Sequence, residues 1–213
     1  RETALLLFVE MEKTKNFGSS LIRDTLNKYD YEDPREKAFL KRLTEGTLES
    51  LLTLDYVINA YSKTPTNKMK PLIRSLLRLS VYQILYMDTV PDSAACNEAV
   101  RLAKKKGFER LSGFVNGVLR TITRNKEEIL NSESAFWQEL QKNPVQALSV
   151  RYSVPEWMIS LWEAQYGEEK TEPMLERLKN GRPLTIRLDS RLTEEEKAQE
   201  IAAIEAAGVT VQK

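Results

Sequence analysis

Between Met69 and Lys126 the chain carries 11 lysines and arginines against 4 acidic residues, a local charge of +7. Their spacing is helical. Arg74 and Arg78 stand four residues apart beside Tyr82, and Arg101, Lys104 and Lys105 share a second face, with Lys106 adjacent and Arg110 following. Arg120 and Arg124 repeat the four-residue step. Residues three or four apart on a helix are surface neighbours, so such arrays can meet successive phosphates of a polyanion. The remaining residues hold 21 basic against 27 acidic side chains, or −6, so a total of +1 hides a basic middle. An anionic partner fits this pattern, and so does a solvated face whose lysines complement helix dipoles.

Other chemistry is thin. With no histidine and a single cysteine, Cys96, the chain can form neither an internal disulfide nor a Cys/His zinc site nor a histidine-based triad. Cys96 reads as a small packing residue in a helix, and a reducing, cytoplasmic setting is expected. The carboxylates Glu127–Glu128 and Glu194–Glu196 sit at polar helix starts, where they offset the dipole. The glycines are scattered with no GxGxxG, and no Pro-Cys nucleophile occurs. No metal is expected, and no apolar run approaches the ~18 residues that would suggest a membrane span. Tyr82 and Tyr86 could stack on unpaired bases, but tyrosines at helical spacing more often fill a core.

The segment that must hold these cations is a run of three helices. Leu72, Ile73, Leu76, Leu77, Val81, Ile84 and Leu85 form one apolar face of the first. Pro91 ends that stretch, with Asp92 and Ser93 expected to cap the second helix, which carries Ala94, Ala95, Ala99, Leu102 and Ala103 and closes at Gly107. Ser112 is expected to cap the third, with Phe114, Val115, Val118, Leu119 and Ile122 inward. Gly113 and Gly117, one turn apart, suggest a close helix crossing, since each costs about 1 kcal/mol relative to Ala. Upstream, helices are expected over Thr3–Met11, Phe17–Asn27 and, as one long helix containing Gly46, Pro34–Tyr61. Faces of this kind close most simply into an orthogonal helical bundle.

The runs RSLLRLSVYQILY (Arg74–Tyr86), NEAVRLAKKKG (Asn97–Gly107) and above all FVNGVL (Phe114–Leu119) resemble the NusB family, whose members are compact all-α RNA-binding domains. The likeness covers residues 1–125. It implies RNA as the polyanion, for which the spacing offers Arg74, Arg78, Arg101, Lys104, Lys105, Lys106, Arg110, Arg120 and Arg124, while Asn116 inside the motif reads as an interhelical hydrogen-bonder, with an RNA contact as the alternative.

Residues 126–181 read as a helical connector. Phe136, Trp137 and Leu140 pack it down, a helix follows Ser153 and Pro155–Glu156 to Gly167, and a short one runs from Pro173 to Lys179. From 182 the period changes. Leu184, Ile186 and Leu188 alternate as in a strand, Thr193 and Glu196 form a capping box, and Val209–Val211 resumes strand character. A strand–helix–strand with open edges is expected to be the start of a longer α/β module. The sequence also opens on Arg1 rather than Met, so chain is expected on both sides. SVRYSVPEWMISLWEAQYG followed by RPLTIRLDS resembles bacterial small-subunit ribosomal RNA cytosine-C5 methyltransferases of the RsmB (Sun) family, although Asp189 stands where that family usually has Asn. The likeness implies a ferredoxin-like RNA-recognition module here. It also implies a catalytic domain beyond residue 213, partnering this region in cis and binding S-adenosylmethionine, with no cofactor in this chain. A stand-alone NusB-like antitermination factor acting with a ribosomal protein is the alternative reading. A helical protein-interaction scaffold is the third.

Overall fold

The computed structural model describes residues 1–14, 19–28, 34–179, 185–209 and 211, which form two compact units, Arg1–Glu176 and Arg177–Lys213. In the first unit, α1 (Glu2–Thr14), α2 (Ser19–Lys28), α3 (Pro34–Glu49) and α4 (Leu51–Tyr61) lead to α5 (Pro71–Tyr86). Eleven of the sixteen residues of α5 are buried, because it packs against α1, α3, α4, α6 (Asp92–Lys105) and α7 (Glu109–Arg124) at once. A helix apolar nearly all round belongs at the centre of a bundle, and Ile73, Leu76, Leu77, Val81 and Ile84 there are at most 2% exposed.

The long helix expected from Pro34 to Tyr61 is two helices broken at Ser50, whose backbone (φ −112°, ψ 15°) leaves the helical ladder. The break frees N–H groups in the first turn of α4. One of them, that of Leu52, donates to Ser153 Oγ at 3.0 Å, while Thr53 Oγ1 donates to the Val150 carbonyl at 2.5 Å. Ser153 is therefore no cap for the helix after it. It ends α10 (Pro144–Tyr152) in the left-handed region (φ 56°) and serves α4 instead. Before α10 come α8 (Lys126–Leu130) and α9 (Ala135–Gln138), held by an aromatic cluster. Tyr61 stacks on Phe136 at 5.7 Å, Tyr56 stacks on Trp137 at 5.4 Å, and Trp137 Nε1 donates to the Ile129 carbonyl at 3.0 Å.

After α10, α11 (Glu156–Tyr166) ends at Gly167 as expected, and α12 (Glu168–Lys179) starts five residues earlier than the Pro173 start the sequence suggested. Pro173 therefore lies inside α12, where it forfeits the backbone bond its N–H would have made to the Glu169 carbonyl. Two further capping expectations fail. α6 begins at Asp92 behind Pro91 with no side-chain cap, and α7 begins at Glu109, so Ser112 lies inside its first turn and donates back to the Glu109 carbonyl at 2.6 Å.

The second unit holds α13 (Glu194–Ala206), opened by the expected capping box: the Thr193 N–H donates to Glu196 Oε2 at 2.8 Å, and the Glu196 N–H to Thr193 Oγ1 at 3.3 Å. Of the two expected strands, residues 185–189, Val209 and Val211 are irregular, and no strand occurs among the described residues. Alternating side chains make a strand only when a neighbour completes the ladder, and neither segment has one among the described residues. Consistent with an unpartnered face, Ile186 and Val209 are each more than half exposed. The helix start near Phe17, the turn through Asp33, the closing Gly181, and Pro183, Leu184 and Thr210 lie outside the described residues.

Candidate nucleic-acid interface

The nine cations separate into three groups by what already holds them. Arg74 and Arg78, on α5, turn inward. Arg74 grips Glu12 of α1 through Nε and Nη2 at 2.9 and 2.5 Å and donates Nη1 to the Thr66 carbonyl at 3.2 Å. Arg78 holds Asp55 of α4 with a two-pronged contact at 2.7 and 2.6 Å and reaches Glu12 Oε1 at 3.0 Å. The side chain of Glu12 is 6% exposed and those of Arg74 and Arg78 are 19% and 13% exposed. The Glu12 carboxylate raises the Arg74 pKa, chiefly through this hydrogen bond. These two arginines clamp α1, α4 and α5 together. Three of the five N–H groups of each arginine are engaged in this way, which turns both side chains toward the bundle.

The second group is paired, with Arg101 and Lys105 exposed and Lys106 half-buried. Arg101 forms a two-pronged contact with Glu98 one turn back at 2.8 and 2.7 Å, while Lys105 and Lys106 both reach Glu2 of α1, at 2.6 and 2.8 Å. Hydrogen bonds from the two lysines hold the Glu2 carboxyl down at about 2. The partner lies 103 residues away in sequence, so no local signal announced it.

The third group is exposed and uncommitted. Lys104, Arg110 and Arg124 have no carboxylate partner among the described residues, and Arg120 donates only Nε, to Asn116 Oδ1 at 3.2 Å. Asn116 thus serves its own helix rather than bridging two. α7 shows Arg110, Arg120 and Arg124 on the side where Gly113 and Gly117 are also exposed. A Cβ at either glycine would meet nothing within 4 Å, so the close crossing expected there does not exist. That crossing lies at Gly46 on α3, where a Cβ would fall 1.9 Å from the Tyr82 hydroxyl. Tyr82 is accordingly 9% exposed and 5.4 Å from Tyr86, in the core rather than on a base-stacking surface.

A tenth cation escaped the sequence analysis. Lys70, just before α5, sets its ammonium 5.4 Å from the centre of the Phe108 ring, at the corner where α6 passes into α7. Gly107 makes that corner with φ +80°, and Lys104 and Lys105 occupy the last turn of α6 before it.

Burial pushes the Cys96 thiol above its ordinary value, and Cys96 lies 3.9 Å from Thr123 Oγ1 with no activating cation bonded to it. Gly46, Gly113 and Gly117 lie within helices, and Gly107, Gly167 and Gly208 follow helix ends. Among the described residues no strand leads into a glycine turn of the kind that cradles S-adenosylmethionine. Among the described residues no group of three or more acidic or cysteine side chains could hold a metal, and no helix is long and apolar enough to cross a membrane.

Comparison with known proteins places this geometry. A probable ribosomal RNA small subunit methyltransferase B of Bacillus subtilis is 35% identical over 172 residues, covering 81% of this chain and 36% of that protein. The corresponding protein of Synechocystis is 30% identical over 208 residues, 96% of this chain and 44% of that protein. The chain therefore spans less than half the length of these two relatives. The transcription antitermination protein NusB of Thermodesulfovibrio yellowstonii is 36% identical over 108 residues, half of this chain and 70% of that protein. A crystal structure of the antitermination factors NusB and NusE with double-stranded RNA superposes at a TM-score of 0.52 and 20% identity, over 57% of this chain and 91% of that one, a likeness of fold. The profile of the NusB family matches residues 1–124. On that match, over more than half its length, the chain belongs to the NusB family.

Proposed function

We propose that this chain is the RNA-binding N-terminal region of an S-adenosylmethionine-dependent methyltransferase acting on cytosine C5 of small-subunit ribosomal RNA, its chemistry residing in a catalytic domain outside these residues. The observation that carries the reading is the reach of the similarity. The NusB profile stops at 124, whereas the match to the Synechocystis methyltransferase relative continues through nearly the whole chain. In this reading Lys104, Arg110, Arg120 and Arg124 meet phosphates directly, and Arg101, Lys105 and Lys106 join by exchanging Glu98 and Glu2 for phosphate. Such contacts position an RNA without reading its bases. That suits a domain whose task is to bring a substrate to a catalytic centre elsewhere, with the catalytic domain in cis as second partner.

The antitermination reading is favoured by the NusB relative, of which this chain covers 70%. Binding of an unmodified small-subunit ribosomal RNA transcript to the purified chain, by filter retention over a salt series, separates the two. The methyltransferase reading expects salt-sensitive binding by the chain alone. Binding that requires an added ribosomal protein supports antitermination, and no binding under either condition refutes the RNA role.

A further inference from the structure

We infer that Lys70 belongs to the RNA-binding surface, which is a corner built from three chain segments: the start of α5, the end of α6 and the start of α7. The inference rests on the RNA reading above and extends it to a residue that reading does not include.

The argument begins with backbone geometry. Pro71 occupies the first turn of α5, and Lys70 before it is extended (φ −59°, ψ 138°), as a residue preceding proline prefers to be. Lys70 therefore projects from the helix end rather than along its flank, and it is exposed. At the other side of the corner Gly107 takes φ +80° and turns the chain, so that Phe108 precedes α7 with its ring half-buried against the core. The exposed part of that ring receives the Lys70 ammonium at 5.4 Å. A cation over a phenyl face gains a modest electrostatic attraction at an exposed site, which biases the rotamers of a long side chain without neutralising it. Unlike a carboxylate, the ring leaves the full charge available.

That distinction makes the corner different from the neighbouring face. Lys105 and Lys106 are held by Glu2, and Arg101 by Glu98. Around Gly107 three further cations have no carboxylate bonded to them among the described residues: Lys104 three residues before it, Arg110 three residues after it, and Lys70 on the Phe108 ring. Each has backbone geometry that fixes its origin, on a helix end or in a first turn. Phosphates of a folded RNA meeting this corner would find positive charge on three converging segments, none of these three cations being bonded to a described carboxylate, with Glu109 exposed beside Arg110. The recognised chemistry is the phosphodiester backbone, since the described residues of the corner offer no exposed aromatic ring for base stacking beyond the edge of Phe108.

The test compares Lys70→Gln, Lys104→Gln and Phe108→Leu in the full chain, with filter binding of an unmodified small-subunit ribosomal RNA transcript over a salt series and circular dichroism as the folding control. If Lys70 contacts a phosphate, Lys70→Gln weakens binding several-fold and shallows the slope of log affinity against log salt by about 0.7–0.9, as one lost contact should. Phe108→Leu, which keeps the apolar contact with the core but removes the π face, weakens binding less and leaves the slope unchanged. Should it fail to fold, the Lys70→Gln result decides alone. Wild-type affinity and slope in Lys70→Gln, with Lys104→Gln weakened, overturn the inference and leave the RNA reading standing. A wild-type chain that retains no RNA overturns both.

Discussion

Gly46→Ala sets two opposing effects against each other at one atom. Gly46 lies within α3 without a positive φ, so alanine is conformationally acceptable and should gain about 1 kcal/mol of helix propensity. Its Cβ would lie 1.9 Å from the Tyr82 hydroxyl oxygen and 2.2 Å from the ring carbon bearing it. Ordinary contact is about 3.5 Å, so the ring must withdraw by roughly 1.5 Å. Tyr82 has little room to do so, being 9% exposed with Tyr86 at 5.4 Å. Overpacking costs about 1–3 kcal/mol, and a contact this short belongs at about 2–3 kcal/mol, so after the helix-propensity gain the net expectation is destabilisation of about 1–2 kcal/mol. In a chain of this size that lowers Tm by about 3–6 °C. The assay is thermal melting of wild type, Gly46→Ala, Tyr82→Leu and the double variant. In the Tyr82→Leu background the clash is gone and Gly46→Ala should be neutral or stabilising, a coupling of about 1.5 kcal/mol or more. A Tm raised by Gly46→Ala alone would mean that α3 does not cross α5 at this point.

Gly117→Ala, by contrast, faces open space and should stabilise by up to about 1 kcal/mol, read as a small rise in Tm. Glu12→Ala leaves Arg74 without its carboxylate and Arg78 with Asp55 alone. Breaking a buried pair costs about 3–5 kcal/mol, and the partial exposure of both arginines reduces the expectation to about 2–4 kcal/mol in denaturant unfolding. Glu2, held at about 2 against an ordinary 4.5, contributes stability that is complete above about pH 4.5 and lost as pH falls toward 2. Glu2→Gln should therefore lower stability at neutral pH and flatten that part of the wild-type pH profile, and identical profiles would show that the Glu2–lysine contacts do not persist in solution.

The bundle was legible because burial imposes a period. The stripes of α5, α6 and α7 are spaced as core residues must be, and their cores formed where the sequence placed them. Capping was less legible, since proline or a backbone turn can start a helix without a capping side chain, as at Pro91 and Phe108. Glycine was ambiguous for a similar reason. Gly46 and Gly117 both interrupt apolar helices, but only the tertiary crossing says which one faces a ring. The cations were legible as a set and not as individuals. Arg74 and Arg78 share the spacing of Arg120 and Arg124, and Glu12 and Asp55, far away in sequence, decide that the first pair turns inward. Strand periodicity names a candidate without its partner, and residues 185–189 have none among the described residues to complete a ladder.

The RNA-binding account is tested most directly by replacing Lys104, Arg110, Arg120 and Arg124 together with glutamine. None of them pairs with a described carboxylate, so the circular dichroism spectrum and Tm should stay near wild type. Four lost phosphate contacts should shallow the slope of log affinity against log salt by about 3, at about 0.7–0.9 each, with weaker binding to ribosomal RNA of any sequence. A folded quadruple variant with the wild-type affinity and salt slope would contradict the account.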